Sequence, residues 1–445
     1  VTATWIKNPL GILAENAGGG IVVESTKIVE LVASGSSPTT PVDETLDAGS
    51  HVIIPGLVNT HHHSFQTMTR AHPVALNRPL FRWLEALYPL WERFTPDALR
   101  LATRMAYVEL LLSGCTTTSD HHYLYPAGLE GSVDIQVEEA RVVGIRAFIT
   151  RGSMSDKQGG LTPGNLVQDD NEILADCARV LERYHDNGPG AMIQIGLAPC
   201  SPFNVTKDLM SETAELAARH NSRLHTHCGE TLDEIDYCSQ VFGQRPVDYL
   251  QEVGWLTPRT WLAHGIHFND DEIARLGASG VGVSHCPTSN MLLGSGSCRT
   301  QALEAAGSPI GLGVDGSASN DNSNMMEAVR DAFLLNRLNH GADAVTHLDA
   351  LRWATTGSAA CLGRSDIGRI AIGMEADIAL FTLDEPRFSG SHDPLAALVL
   401  CGAHNADRVM VAGRWRVIDG EPIGFDLEEL RHTHHAQAMR LFGPT

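Results

Sequence analysis

What this chain lacks narrows the field first. Its nine cysteines are spread over 445 residues with no C-x-x-C pair among them, so neither a disulfide framework nor a thiolate zinc knuckle is expected. Basic residues are in deficit. The 32 Lys and Arg against 53 Asp and Glu give a formal charge of −21, which repels nucleic-acid phosphates and anionic lipid headgroups. No apolar run approaches the roughly 20 residues of a membrane helix. Val1 to Asn8 carry neither the basic nor the apolar region of a signal peptide, so a cytoplasmic location is expected, without nucleic-acid or membrane partners. Catalytic signatures are missing too: there is no G-x-x-x-x-G-K-[ST] phosphate loop, no G-x-S-x-G nucleophile elbow, and no H-x-E with P-C-x-x-C.

What is present is a chain long enough for a large core and a smaller attachment, with a mean hydropathy of −0.08. Residues 1–54 read as short strands broken by turns, among them Ile21-Val22-Val23 and Ile28 to Val32, with a Ser/Pro/Thr-rich turn at Ser36 to Thr40. Ala376 to Phe381 and Arg408 to Ala412 have the same character. The pattern predicts one β-sandwich built from both chain ends, 1–54 with 368–425, followed by a helical extension over 426–445. Between them, short apolar runs alternate with segments of helical period such as Pro96 to Leu112 and Leu209 to Arg219. Eight runs end near Val58, Thr118, Thr150, Leu197, His227, Ala263, Val283 and Val314. That number over 55–367 predicts a (β/α)8 TIM barrel, with a doubly wound sheet as the alternative. In a barrel of this kind, chemistry sits where the strands end.

Polar residues gather at those ends. The first run leads into His61-His62-His63, where alternation puts His61 and His63 on one face and His62 on the other. Taken alone, a triple-His run fits a structural role as well as a metal-binding one. The fifth run repeats the device with His225 and His227, followed by Glu230. The sixth ends at His264 and the eighth at Asp315. Three imidazoles and a carboxylate suit Zn²⁺, with Fe²⁺ as the alternative, and not an oxygen-only Ca²⁺ or Mg²⁺ site. Such an ion lowers the pKa of a bound water to about 7. Glu230 and His264 are then the natural acid–base pair.

Pro55-Gly56-Leu57-Val58-Asn59-Thr60-His61-His62-His63, His227-x-x-Glu230, His264 in Leu-Ala-His-Gly, Asp315 in Gly-Val-Asp-Gly and Gly373 to Ile378 together resemble the amidohydrolase superfamily over essentially the whole chain. The resemblance implies a distorted (β/α)8 barrel with a terminal β-sandwich. The fourth run ends Ala198-Pro199-Cys200 without a lysine, which points to the mononuclear aminohydrolase branch and one divalent ion. On this likeness His61, His63, His227 and Asp315 bind the metal. Glu230 delivers a proton to a ring nitrogen of the substrate, and His264 and Asp315 orient and deprotonate the attacking water.

The same resemblance implies a small heterocyclic substrate. His61-x-His63-x-x-Gln66 is spaced as in guanine deaminases, but those carry an arginine where this chain has Cys200. Ser119 to Tyr123, Thr150 to Ser155, Leu197 to Phe203, His285 to Asn290 and Phe388 to Pro394 look most like aminohydrolases of oxidised purines. Hydrolytic deamination of an amino-substituted oxopurine is therefore expected, 8-oxoguanine and water giving urate and ammonia. Isoxanthopterin, guanine and triazines are the alternatives, and a catalytically silent metal-binding scaffold is the non-enzymatic one. Members of the branch often form homo-oligomers. Gln66, Trp83, Tyr123, Arg151, Cys200 and His285 are the candidate substrate contacts. His72, His185, His220, His432, His434 and His435 are expected on the solvated surface.

Overall fold

Eight parallel strands close into a barrel in chain order: Leu57–Asn59, Cys115–His122, Arg146–Ser153, Ile193–Pro199, Leu224–Cys228, Thr260–His264, Gly282–His285 and Ile310–Leu312. The computed structural model describes residues 2–155 and 162–443. The ring closes where Leu312 pairs with Asn59. Helices fill the crossovers, and their ends are written in the sequence. Thr95 caps Pro96–Leu112 by accepting from the Ala98 N–H, and Asn269 with Glu272 forms a capping box on Asp270–Ala278.

Strand alternation divides the barrel into two environments. Outward residues such as Leu57, Ile149, Leu197 and Val283 pack against Tyr107, Val137, Val180 and Leu209 of the helical layer, each such burial contributing roughly 1.5–3 kcal/mol. Inward at the barrel floor, Val58, Phe148 and Trp261 form a smaller cluster. Higher up, the interior turns polar, with Thr60 Oγ1 2.6 Å from Ser284 Oγ, while on the outward face Asn59 Nδ2 donates to Thr118 Oγ1 at 3.0 Å.

Above the rim, Asp315–Gly316 pairs in parallel with His62–His63, which carries the last strand's carboxylate to the first strand's histidines. Gly311-Leu312-Gly313-Val314-Asp315-Gly316 has the spacing of a dinucleotide-binding turn, yet it serves this junction instead. A Cβ at Gly313 would stand 2.8 Å from the His61 Cβ, and one at Gly316 would stand 1.9 Å from Gln66 Oε1. Only glycine lets the two segments approach.

Both chain ends build the remaining sheets. Lys27–Val32, Gly20–Glu24, Ala3–Lys7 and Glu44–Asp47 form one, while His51–Pro55 pairs with Ile378–Thr382 in the other. They share a core of Ile6, Ile21, Ile53, Ile378 and Met410. Arg146, which opens the third barrel strand, donates through Nε and Nη2 to both oxygens of Asp377 at 2.9 and 3.0 Å. This buried bidentate pair ties the barrel floor to the second sheet.

The last helix, Leu427–Phe442, lies on Pro96–Leu112 and on the turn Ser64–Thr69. Three histidines expected on the surface are instead engaged, two of them through this helix. His434 is buried with Nε2 3.1 Å from Thr67 Oγ1. His72 donates to the Phe442 carbonyl, and His185 accepts the Ile195 N–H. No helix among the described residues is long and apolar enough to cross a membrane.

Candidate active site

His61, His63, His227, Glu230, His264 and Asp315 converge at the C-terminal rim, all largely or fully buried. The hydrogen bonds behind the imidazoles fix their tautomers. His63 Nδ1 faces the His121 carbonyl at 2.7 Å and His227 Nδ1 faces the Cys200 carbonyl at 2.6 Å. A carbonyl only accepts, so both Nδ1 atoms carry hydrogen and both Nε2 atoms carry lone pairs. Those two Nε2 atoms nevertheless lie 3.1 Å apart. Asp315 Oδ1, another acceptor, is 3.3 Å from Nε2 of both His61 and His63. Burial keeps the three imidazoles below their ordinary pKa, which leaves them neutral.

Acceptor atoms crowded this way repel unless a cation lies among them. The donor set, three imidazoles and one carboxylate, would suit one zinc-type ion. His121 is a fourth imidazole of this cluster, with a ligand atom within 4.8 Å of those of His61, His63 and His227. Its Nε2 donates to the Ala198 carbonyl and its ring stacks on His227 at 4.7 Å.

Two of these residues hold backbone conformations that side chains disfavour. His264 has φ 74° and Asp315 φ 63°, each costing on the order of 1–3 kcal/mol outside a constrained site. The surroundings impose the strain: Asp315 Oδ1 accepts the Gly316 N–H at 2.7 Å, and His264 Nδ1 is held 2.9 Å from Asn290 Oδ1. His264 Nε2 thereby points between Glu230 Oε2 at 3.5 Å and Asp315 Oδ2 at 3.9 Å.

The carboxyls are driven apart electrostatically. Burial pushes Glu230 up to about 7, an effect that His264 opposes and that Asp315 and Glu234 reinforce. Burial pushes Asp315 upward too, but the imidazoles around it, of which His264 is the one raised above its ordinary pKa, outweigh burial and hold its carboxyl well below the usual range. One carboxyl thus keeps a proton near neutrality while the other stays ionised, the division of labour that acid–base catalysis requires. Glu234 anchors the first by accepting the backbone N–H groups of Gly229 and Glu230, each at 2.9 Å.

A cavity opens on this centre, bounded by Gln66, Trp83, Tyr88, Tyr123, Cys200 and Phe203 among others. Gln66 Oε1 accepts the Ala318 N–H at 3.2 Å, and its side chain also hydrogen-bonds Tyr123. The Trp83 indole N–H is spent on the Ala318 carbonyl, so the ring offers only its surface. Tyr123 meets the His63 ring edge-on at 5.1 Å.

Arg151 and His285 correct the expectation that they contact substrate, since neither lines the cavity. Arg151 shares the outward face of Ile149, and its Nε donates to Asp176 Oδ2 at 2.9 Å while the guanidinium covers the Tyr125 ring. His285 shares the outward face of Val283 and is buried without a hydrogen-bond partner on either ring nitrogen among the described residues. Asn290, Glu234 and Ser319, whose Oγ donates to Asp315 Oδ2 at 3.3 Å, were not identified from the sequence. Their spacing carries no metal or acid–base signature.

The chain belongs to the amidohydrolase family, whose model matches residues 52–416. Among characterised relatives it is 59% identical to an 8-oxoguanine deaminase of Pseudomonas aeruginosa over 99% of both chains. An isoxanthopterin deaminase of an unknown prokaryotic organism is 35% identical over 89% of this chain and 87% of its own. Of solved structures, the atrazine chlorohydrolase TrzN of Arthrobacter aurescens, complexed with zinc, superposes with a TM-score of 0.92 at 30% identity, covering 98% of this chain and 100% of that one. The chain is accordingly a hydrolytic aminohydrolase with the closed eight-stranded barrel of its family.

Proposed function

We propose that this protein deaminates 8-oxoguanine, giving urate and ammonia, with one zinc ion held by His61, His63, His227 and Asp315. The observation that carries the substrate is the 59% identity over 99% of both chains with an 8-oxoguanine deaminase. The donor set suits zinc or iron, and the zinc in the structurally similar chlorohydrolase favours zinc. When bound, the ion lowers the pKa of water toward about 7.

The chain's own residues perform the remaining steps. Gln66, Trp83, Tyr123 and Cys200 seat the planar base, the amide by hydrogen bonding and the rings by stacking. Asp315, ionised at neutral pH, accepts a proton from the attacking water. Glu230, still protonated near pH 7, gives its proton to the ring nitrogen beside C2, the carbon that bears the amine. His264 stands next to the new oxygen and stabilises the charge that develops there. The proton taken by Asp315 passes to the amine, which leaves as ammonia, and the hydroxyl proton, lost as the carbonyl forms, restores Glu230.

Incubating the zinc-loaded enzyme with 8-oxoguanine tests the reading: equimolar urate and ammonia are expected. Release of chloride or alkylamine from triazines, with no ammonia from any purine, would replace it.

A further inference from the structure

We infer that His225 is a positioning residue for His61, setting its tautomer and its strength as a metal donor; the inference rests on the one-ion reading above. His225 is wholly buried. Its Nδ1 lies 2.8 Å from the Trp261 carbonyl and therefore carries hydrogen. Its Nε2 lies 2.8 Å from Nδ1 of His61, and a single proton occupies that line. With His225 as donor, a neutral His61 would carry its hydrogen on Nε2, pointing at Asp315 and offering no lone pair to an ion. With His61 as donor, His225 is neutral and Nε2 of His61, 3.3 Å from Asp315 Oδ1, is a bare donor atom. Only the second pattern makes His61 a ligand.

His61 differs from its two neighbours in this respect. His63 and His227 are oriented by backbone carbonyls, which no substitution removes, whereas His61 depends on a side chain. An imidazole nitrogen is a stronger base than an amide carbonyl. It draws harder on the Nδ1 hydrogen and raises the electron density at the metal-facing nitrogen. Trp261 holds the relay from behind: its ring stacks on His225 with centroids 4.3 Å apart, and its indole N–H donates to the carbonyl of Thr60, the residue before His61, at 2.9 Å.

The test is zinc affinity, measured on metal-free protein by competition with a chromophoric chelator. His225→Leu, which offers no acceptor, should weaken zinc binding about 10–100-fold. His225→Gln, whose Oε1 can accept from His61, should recover most of that loss. Equal affinity in wild type and His225→Leu would overturn the inference, as would equal losses in the two variants. The ¹⁵N-histidine spectrum of the zinc-loaded wild type gives a readout independent of variant folding: His225 should be neutral with hydrogen on Nδ1, and hydrogen on its Nε2 would refute the relay. Absence of zinc binding by the wild type would instead remove the one-ion reading itself.

Discussion

Replacing Glu230 with glutamine in the metal-free protein separates the cost of a buried carboxyl from its catalytic use. Burial raises this group from 4.5 to about 7. Below pH 4.5 the folded and unfolded states are both protonated and no penalty exists. Between 4.5 and 7 only the unfolded chain releases its proton, so stability falls as pH rises, and above 7 the loss is complete. At about 1.4 kcal/mol per pH unit the full window amounts to about 3 kcal/mol, of which about 2 kcal/mol falls between pH 5.5 and 8. Glutamine does not titrate, and Glu234, likewise raised to about 7 by burial, is present in both proteins. With about 2.1 cal/mol/K of unfolding entropy per residue over 445 residues, the Tm of Glu230→Gln should gain about 2 °C on wild type between pH 5.5 and pH 8. Scanning fluorimetry on chelator-treated protein at both pH values measures it. A constant or shrinking difference would show that Glu230 is not held protonated by its burial.

The other predictions follow from the same geometry. Asp315→Asn should lower kcat roughly 10²–10⁴-fold and weaken zinc binding, as steady-state kinetics and metal analysis would show; near-normal turnover would remove it from the site. Chelating the ion should destabilise the fold. At zinc a hundredfold above its Kd the lost linkage is about 2.7 kcal/mol, so a Tm unchanged by chelation would count against a resident ion. Arg151→Met breaks the buried pair with Asp176 and should cost about 3–5 kcal/mol of stability. The folded fraction should keep its KM, and a large rise in KM with unchanged stability would return Arg151 to the pocket.

The barrel was legible because its strands carry short apolar runs that end in polar residues, and because the segments between them, such as Pro96 to Leu112, have a helical period. The convergence of the candidate ligands was legible for a related reason. His61 and His63, spaced two apart, must share a face on an extended chain, and the strand-end position supplies the rim. Arg151 and His285 went astray on that same alternation. Each lies one residue beyond an inward-facing neighbour, Thr150 or Ser284, whose hydroxyl turns into the barrel. Their parity with Ile149 and Val283 would have placed them outward. Asn290 acts through a contact across 26 residues that forms only after the chain has folded, Glu234 through local backbone bonds that no motif marks, and His434 is buried by a helix that packs across 367 residues of sequence separation.

The most direct test of the account is kcat/KM for 8-oxoguanine, guanine and isoxanthopterin, measured side by side on the zinc-loaded protein through ammonia release. The account predicts that 8-oxoguanine is turned over with the highest kcat/KM of the three. A higher value for guanine or isoxanthopterin would contradict it.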